Sequence, residues 1–524
     1  MQSTTVHFYQ LLKENMKNTI KTCFIIFCAL GLVFQLNGAD LPPQKVNLRL
    51  NDLTTIVVGR AELSGTIDEG KGPRVKNSVA GFYAPDITAT FTVIAPQEDD
   101  YAVSVIISSP TAETMEIACG SSVLTTTSIP KTWEGTPLYW RQEIPGLLHL
   151  TKGENSITFR LPKVATGRPK RNLRSPIYRP MKEEFNLVSI ELGTPTARKA
   201  QQKRAKKIHK KADWMSKGKY GLFVHWSANS TGYFTPEKRG RWFQESVKMF
   251  DVQHFAEQVA RTGAAWVTFT ATHQGFYWPA PSKAVDAVMP NRTSKRDLLG
   301  EIIDELDKRG IKTLFYIHSG YNGLESTPWR KAIGADYSLA NSSKFNDNMV
   351  AILRECSMRY GKKLKGFGYI DGCLMHDYPL DPHWESWAKA IKAGNPDALI
   401  GFSSNLGPSV SVFSELSTRD GGGGLSQPTT DQIGFGKQYG DVAPAWWCFM
   451  DSWLINKPMN ATWSQYKPVH KEQQYVDYFK SMAKKGIPVT INLLMTSEVT
   501  KDHPIFNPKC MGIMEEVRKA VRGK

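Results

Sequence analysis

The sequence predicts an α/β protein, a TIM-type (β/α) barrel preceded by an antiparallel, jelly-roll-like β-sandwich, and three observations carry that expectation. Between Val46 and about Gly193, apolar residues alternate with polar ones in short segments broken by Gly, Pro, Asp and Thr. That is the period-two signature of strands buried on one face. From Asp213 onward, continuous apolar runs alternate instead with amphipathic stretches that end on glycine, as in repeated βα units. Several of those runs end on His or Asp, the position from which a barrel presents its chemistry.

The chain of 524 residues has room for two or three domains. The boundaries expected are 1–39 for a leader, 45–195 for the sandwich, 196–212 for a basic linker or helix and 213–524 for the barrel. The leader reading rests on Lys17 and Lys21 followed by CFIIFCALGLVF (Cys23–Phe34) and a small-residue stretch ending at Ala39, with Met16 as an alternative start. It implies export through a cleavable signal to a periplasmic or secreted location. The apolar run is short for a membrane span, so no stable membrane insertion is expected. Beyond the leader's two cysteines, Cys119, Cys356, Cys373, Cys448 and Cys510 are scattered and form no CxxC pair. Neither a disulfide framework nor a zinc site is indicated, and no cofactor is expected.

Net charge is +17, much of it within Lys163–Lys211. No nucleic-acid fold motif accompanies it, so nucleic acid is not an expected partner. The basic stretch reads either as a solvated linker face or as a surface for polyanionic glycan. Fourteen tryptophans suit sugar-binding clefts, whose indole faces pack on apolar sugar faces, and equally suit a core.

Taken in order, ITATFTVIA (Ile87–Ala95), YAVSVIIS (Tyr101–Ser108), MEIACG (Met115–Gly120), LLHL (Leu147–Leu150), NSITFRL (Asn155–Leu161) and FNLVSIEL (Phe185–Leu192) read as sandwich strands. KYGLFVHW (Lys219–Trp226) opens the barrel. Helices at Phe250–Gly263, Ser294–Gly310 and Phe345–Gly361 alternate with strands at Ala264–Phe276, Ile311–Gly320 and Leu364–Gly372. WESWAKAIKAGNP (Trp384–Pro396) and ALIGFSSN (Ala398–Asn405) continue the alternation. After Asn405 the pattern loosens into a Gly-rich loop, Gly421–Gly424, and it recovers at Ala445–Trp453, Tyr475–Lys485 and Gly486–Met495.

The strand ends supply His225 and Trp226, then Thr272, His273 and Gln274, then His318 and Ser319, then Asp371. Three histidines and an acid at successive strand ends converge on one face. A zinc site could be built from them, but no HxH or HxxxH pair is present, and imidazoles serve sugar hydroxyls equally. Asp371, in YIDG, reads either as a barrel-end catalytic carboxylate or as an Asp-Gly turn.

With these residues assembled, Asp213–Asn405 resembles the catalytic barrel of the family 29 glycoside hydrolases, the α-L-fucosidases. The matching motifs are KYGLFVHWS (Lys219–Ser227), RWF (Arg241–Phe243), FDVQHFAEQVARTGAAWVTFTATHQGFYW (Phe250–Trp278), RDLLGEIIDELDKRGIKTLFYIHS (Arg296–Ser319) and YIDG (Tyr369–Gly372), with weaker echoes in WCFMDSW and GIPVTINLLM. The upstream sandwich is similar to carbohydrate-binding-type modules. The resemblance implies a secreted retaining exo-glycosidase acting on a terminal α-linked fucose or related sugar. It makes Asp371 the nucleophile, and His225, Trp226, Trp242, Thr272, His273, His318 and Tyr369 sugar contacts. The acid/base is expected at Asp431, with Glu415 as the alternative on the same loop. Departures from the family pattern fall at Thr272, Gln274, Tyr369-Ile370 and His318, so a different or substituted sugar is also open. Two alternatives remain beside the fucosidase: a hydrolase of sulfated or acidic fucose-containing polysaccharide, and a catalytically degraded sugar-binding protein.

Overall fold

The computed structural model describes residues 45–523 apart from 58–59, 66–73, 76–78, 81, 83–84, 110–113, 127–139, 165–184, 209–211, 227–235, 274, 319–326, 336–342, 372–382, 403–410, 422–424, 426–442, 451–467, 469, 494 and 496–504. The leader, Gln274, Ser319 and Asp431 lie outside the described residues.

Two six-stranded sheets occupy the N-terminal region. Strand Thr88–Ala95 buries every second residue, and Gly153–Lys163 pairs with it antiparallel, setting Phe159 opposite Ala89. Phe91, Val93, Ile157 and Phe159 of this sheet share one apolar core with Tyr101, Val103, Leu187 and Leu192 of the other. Phe159 lies 5.1 Å from Phe82 and 5.9 Å from Phe185, giving that core an aromatic centre. One ladder departs from the antiparallel expectation, because Val46–Asn47 runs parallel to Val93–Ile94. The basic stretch that follows is helical over Pro195–Ile208.

A third sheet has eight parallel strands: β1 (Tyr220–Val224), β2 (Trp266–Thr270), β3 (Lys312–His318), β4 (Leu364–Asp371), β5 (Leu399–Phe402), β6 (Leu416–Gly421), β7 (Ala443–Phe449) and β8 (Val489–Leu493). Their order is β5-β4-β3-β2-β1-β8-β7-β6, and every ladder is parallel. Strands β1, β2 and β8 are buried at every position, as parallel strands covered on both faces must be. Among the described residues the ladders make one α/β parallel sheet, and no ladder joins β5 to β6. Strand β6 appears where the sequence pattern had loosened.

Helices between the strands start and stop where the sequence provides caps. Asp251 accepts from the His254 amide and Asp297 from the Gly300 amide at 2.9 Å each, closing the N-termini of Val252–Arg261 and Leu298–Asp307. Gly263 and Gly310, both at φ +71°, return the chain to β2 and β3 in the left-handed region. At the N-terminal end of the sheet, Trp266, Leu314, Leu399 and Leu416 pack with Met215. A Cβ on Gly221 would sit 2.3 Å from the Trp266 indole, so glycine there makes room for that ring. Phe223, Tyr316 and Tyr369 form a separate apolar cluster.

Candidate active site

Strand register assembles the site. Asp371 is the last residue of β4, half-buried, and its Cα partner on β3 is His318. Tyr316 lies two residues before His318 and therefore on the same face. Its Oη donates to Oδ2 of Asp371 at 2.5 Å. A phenol donating to a carboxylate makes a short, charge-assisted bond that holds the acid in one orientation. Beneath, the Tyr369 ring stacks on Tyr316 at 5.4 Å, with Phe223 edge-on at 5.3 Å.

The three histidines gather around the same tyrosine. His273 stacks on Tyr316 at 5.8 Å and lies 6.0 Å from His225 and 5.6 Å from His318, ring centre to ring centre. His225 is buried, and that burial pushes its pKa down to about 3 against the opposing pull of a hydrogen bond to Asn492. The bond joins Nδ1 to Oδ1 of Asn492 at 3.2 Å. An amide oxygen only accepts, so the ring proton sits on Nδ1 and Nε2 is the acceptor of a neutral imidazole.

The loop carrying His273 is tightly fastened. The Phe276 amide donates to the His273 carbonyl at 3.0 Å, across Gly275 (φ +79°) and Phe276 (φ +51°). Positive φ at a phenylalanine is strained backbone, tolerated because its surroundings hold it. Here Phe276 stacks on Trp329 at 4.3 Å, and Arg292 donates to the Gly275 carbonyl at 2.6 Å.

The structure thus gathers Asp371, His225, His273, His318 and Tyr369, and sends other expected residues elsewhere. Trp226 follows His225 and so faces the opposite way. It packs against Phe250 and Phe269 at 5.3 and 6.1 Å, in the core between sheet and helix, and is corrected from sugar contact to core residue. Thr272 is buried, and its hydroxyl turns onto the His273 carbonyl at 3.4 Å. Trp242 lies in the helix Pro236–Met249, but its side chain is outside the described residues, as is Asp431.

Glu415 is also corrected. It is fully buried, pairs with the Lys392 ammonium and accepts from the Ile400 amide at 3.0 Å. Its own amide bonds the Ile400 carbonyl, and Ile400 is level with Phe367 on β4, four residues before Asp371. At about 3.3 Å per residue that separates the two levels by roughly 13 Å. Glu415 therefore braces the start of β6 and lies out of reach of a bond that Asp371 attacks.

Tyr316 and Asn492 are site residues that the sequence reading missed. Tyr316 was discoverable as the i−2 neighbour of His318, and Asn492 as the one amide within the apolar run GIPVTINLLM. Among the described residues no group of three or more His, Cys, Asp or Glu is arranged to hold a metal ion. No described helix is long and apolar enough to cross a membrane.

Residues 241–403 match the family model for alpha-L-fucosidase. No curated protein matches the chain. Among solved structures, it is similar to an alpha-L-fucosidase from Bacteroides thetaiotaomicron at 15% identity, over 60% of this chain and 74% of that one, with a TM-score of 0.40. Alpha-L-fucosidase isoenzyme 1 from Paenibacillus thiaminolyticus gives 14% identity, 59% and 74% coverage and a TM-score of 0.42. The unliganded alpha-L-fucosidase AlfC from Lactobacillus casei gives 13%, 61% and 98%, and 0.41. By the family match, residues 241–403, which hold β2 to β5 and Asp371, belong to the alpha-L-fucosidase family, and the protein is a glycoside hydrolase.

Proposed function

We propose that the protein is an exported, retaining exo-α-L-fucosidase that uses Asp371 as its nucleophile. The observation that carries this reading is the Tyr316–Asp371 bond at the end of β4, ringed by His225, His273 and His318. The Asp371 carboxylate attacks the anomeric carbon as the glycosidic bond breaks, and a second acid protonates the departing oxygen. Water, deprotonated by that second group, then releases the sugar from Asp371. Neutral His225 accepts from a sugar hydroxyl through Nε2. Asp431 is the acid/base under this reading; retention asks that its carboxyl come within about 5–5.5 Å of Asp371. The eight parallel strands curl into a (β/α) barrel on this reading, the two N-terminal sheets form the accessory sandwich, and the leader at 1–39 directs export.

A 2-deoxy-2-fluoro-fucosyl fluoride tests the central step. Peptide mass spectrometry is expected to find one fucosyl adduct, on Asp371, with turnover of aryl α-L-fucoside lost in proportion. Turnover with no adduct on Asp371 would overturn the assignment.

A sulfated or otherwise anionic fucan is the second reading, favoured by one surface. Lys199, Lys203, Lys206 and Lys207 are exposed along the helix Pro195–Ile208, at spacings that bring them to one side. Binding led by those charges weakens steeply with salt. Equal affinity at low and high ionic strength would leave neutral glycans as the substrate.

A further inference from the structure

A cavity of about 250 Å³ lies away from Asp371, between the N-terminal sheets and the parallel-sheet region. At roughly 30 Å³ of liquid volume per water it has room for about eight waters, the scale of one monosaccharide. Arg49, Asp52 and Glu191 line it from the first region, Arg204 from the basic helix, and Trp384, Glu385 and Lys389 from the helix that follows β4.

Its charges are balanced. Arg204 bridges Asp52 at 3.0 Å and Glu385 at 2.7 Å, Lys389 reaches Glu385 at 3.0 Å, and Arg49 faces Asp52 at 3.7 Å. His383, also in the lining, is held neutral at pH 7 because burial and the neighbouring Arg49 lower its pKa to about 4. A cavity so compensated attracts neither anions nor cations strongly, yet it is not satisfied. Trp384 is 7% exposed. Its Nε1 and the Glu385 Oε2 are buried with no hydrogen-bond partner among the described residues, while Arg204 Nε and Lys389 occupy Glu385 Oε1. Unmet donors and acceptors side by side cost free energy unless a guest supplies both functions. A sugar hydroxyl supplies both, and an indole lines the same space.

We propose that this cavity is a second carbohydrate site, which takes one neutral, polyhydroxylated unit of monosaccharide size between the N-terminal sheets and the catalytic region. The occupant donates a hydroxyl to Glu385 Oε2 and accepts from Trp384 Nε1. Because the helix carrying Trp384 and Glu385 is the first described helix after β4, a glycan held here lies on the same polypeptide segment as the nucleophile.

The test is ligand-observed NMR titration of the full protein with methyl β-D-galactopyranoside, methyl α-D-glucopyranoside and methyl α-L-fucopyranoside, with crystal soaks to locate the bound sugar. At least one glycoside is expected to bind once in the cavity, with affinity independent of salt. Trp384→Phe keeps an aromatic face and deletes the donor, so binding weakens about tenfold. Ser386→Trp, at an exposed lining position, blocks the cavity and abolishes binding. Both variants keep their turnover of aryl α-L-fucoside, and that readout separates failure of this site from failure of the Asp371 assignment. The proposal is overturned if no glycoside binds, if both variants bind as the parent does, if inorganic sulfate displaces the sugar, or if soaked crystals alone hold an adventitious additive.

Discussion

Two carboxylates mark opposite ends of the parallel sheet, and their surroundings differ. Glu415, at the start of β6, has no exposed side-chain surface, and Lys392 and the Ile400 amide hold its oxygens. Asp371, at the end of β4, keeps partial exposure, and the Tyr316 phenol donates to it. The first arrangement spends its acceptors on the fold. The second holds a charge in place and leaves it approachable, which is what nucleophilic displacement at a sugar requires. Burial and partner type, more than residue type, separate the structural acid from the one proposed as nucleophile.

The largest effect expected follows from removing the approachable acid. Asp371→Ala should lower kcat/KM on aryl α-L-fucoside by at least about 10³-fold while leaving the thermal melt intact, since covalent catalysis disappears without disturbing a buried pair. Activity within tenfold of the parent would erase the distinction between the two ends.

Glu415→Ala should do the reverse. Stripping one partner from a buried ion pair leaves the Lys392 charge uncompensated, at a typical cost of about 3–5 kcal/mol. Urea unfolding reads that loss directly. At a temperature where the variant is folded, kcat/KM should stay within about threefold of the parent. A selective collapse of kcat at unchanged stability would return Glu415 to the list of acids.

A smaller effect sharpens the catalytic end. Tyr316→Phe removes the hydroxyl that orients Asp371 and keeps the ring stacked between Tyr369 and His273. A hydrogen bond to a charged group is worth about 1.5–3 kcal/mol, so kcat should fall about 10- to 150-fold with little change in KM. An unchanged kcat would mean that the carboxylate is positioned by other contacts.

How far the sequence foretold this arrangement depended on whether the signal was local. The βα alternation and the glycine stops are local, and the structure carries them at nearly the expected residues. Asp371, His225, His273 and His318 were visible as polar endings of apolar runs. Trp226 was misjudged because two adjacent residues at a strand end were given one role, although alternation forces them to opposite faces. Strand β6 was invisible because LSTRDG has no apolar period; pairing with β7 makes it a strand. Glu415 could not be told from a catalytic acid because its partner, Lys392, is 23 residues away in sequence and only the fold joins them.

His225 gives the smallest and most specific test at the catalytic end. Its ordinary pKa near 6.5 falls to about 3 in the folded chain, chiefly through burial. Between those values the unfolded chain takes up a proton that the folded site refuses, so stability rises with pH through this window and is lost as pH falls. At pH 4.5 the loss from this one group is about 2–3 kcal/mol. His225→Gln keeps a polar side chain that does not titrate, and it should flatten the fall in melting temperature between pH 6.5 and 4.5. Asp371→Ala should leave that slope steep, because burial of the imidazole and not the nearby carboxylate sets it. If His225→Gln melts with the parent's pH dependence, the ring is not held neutral, and Nε2 is not the acceptor that the sugar contact needs.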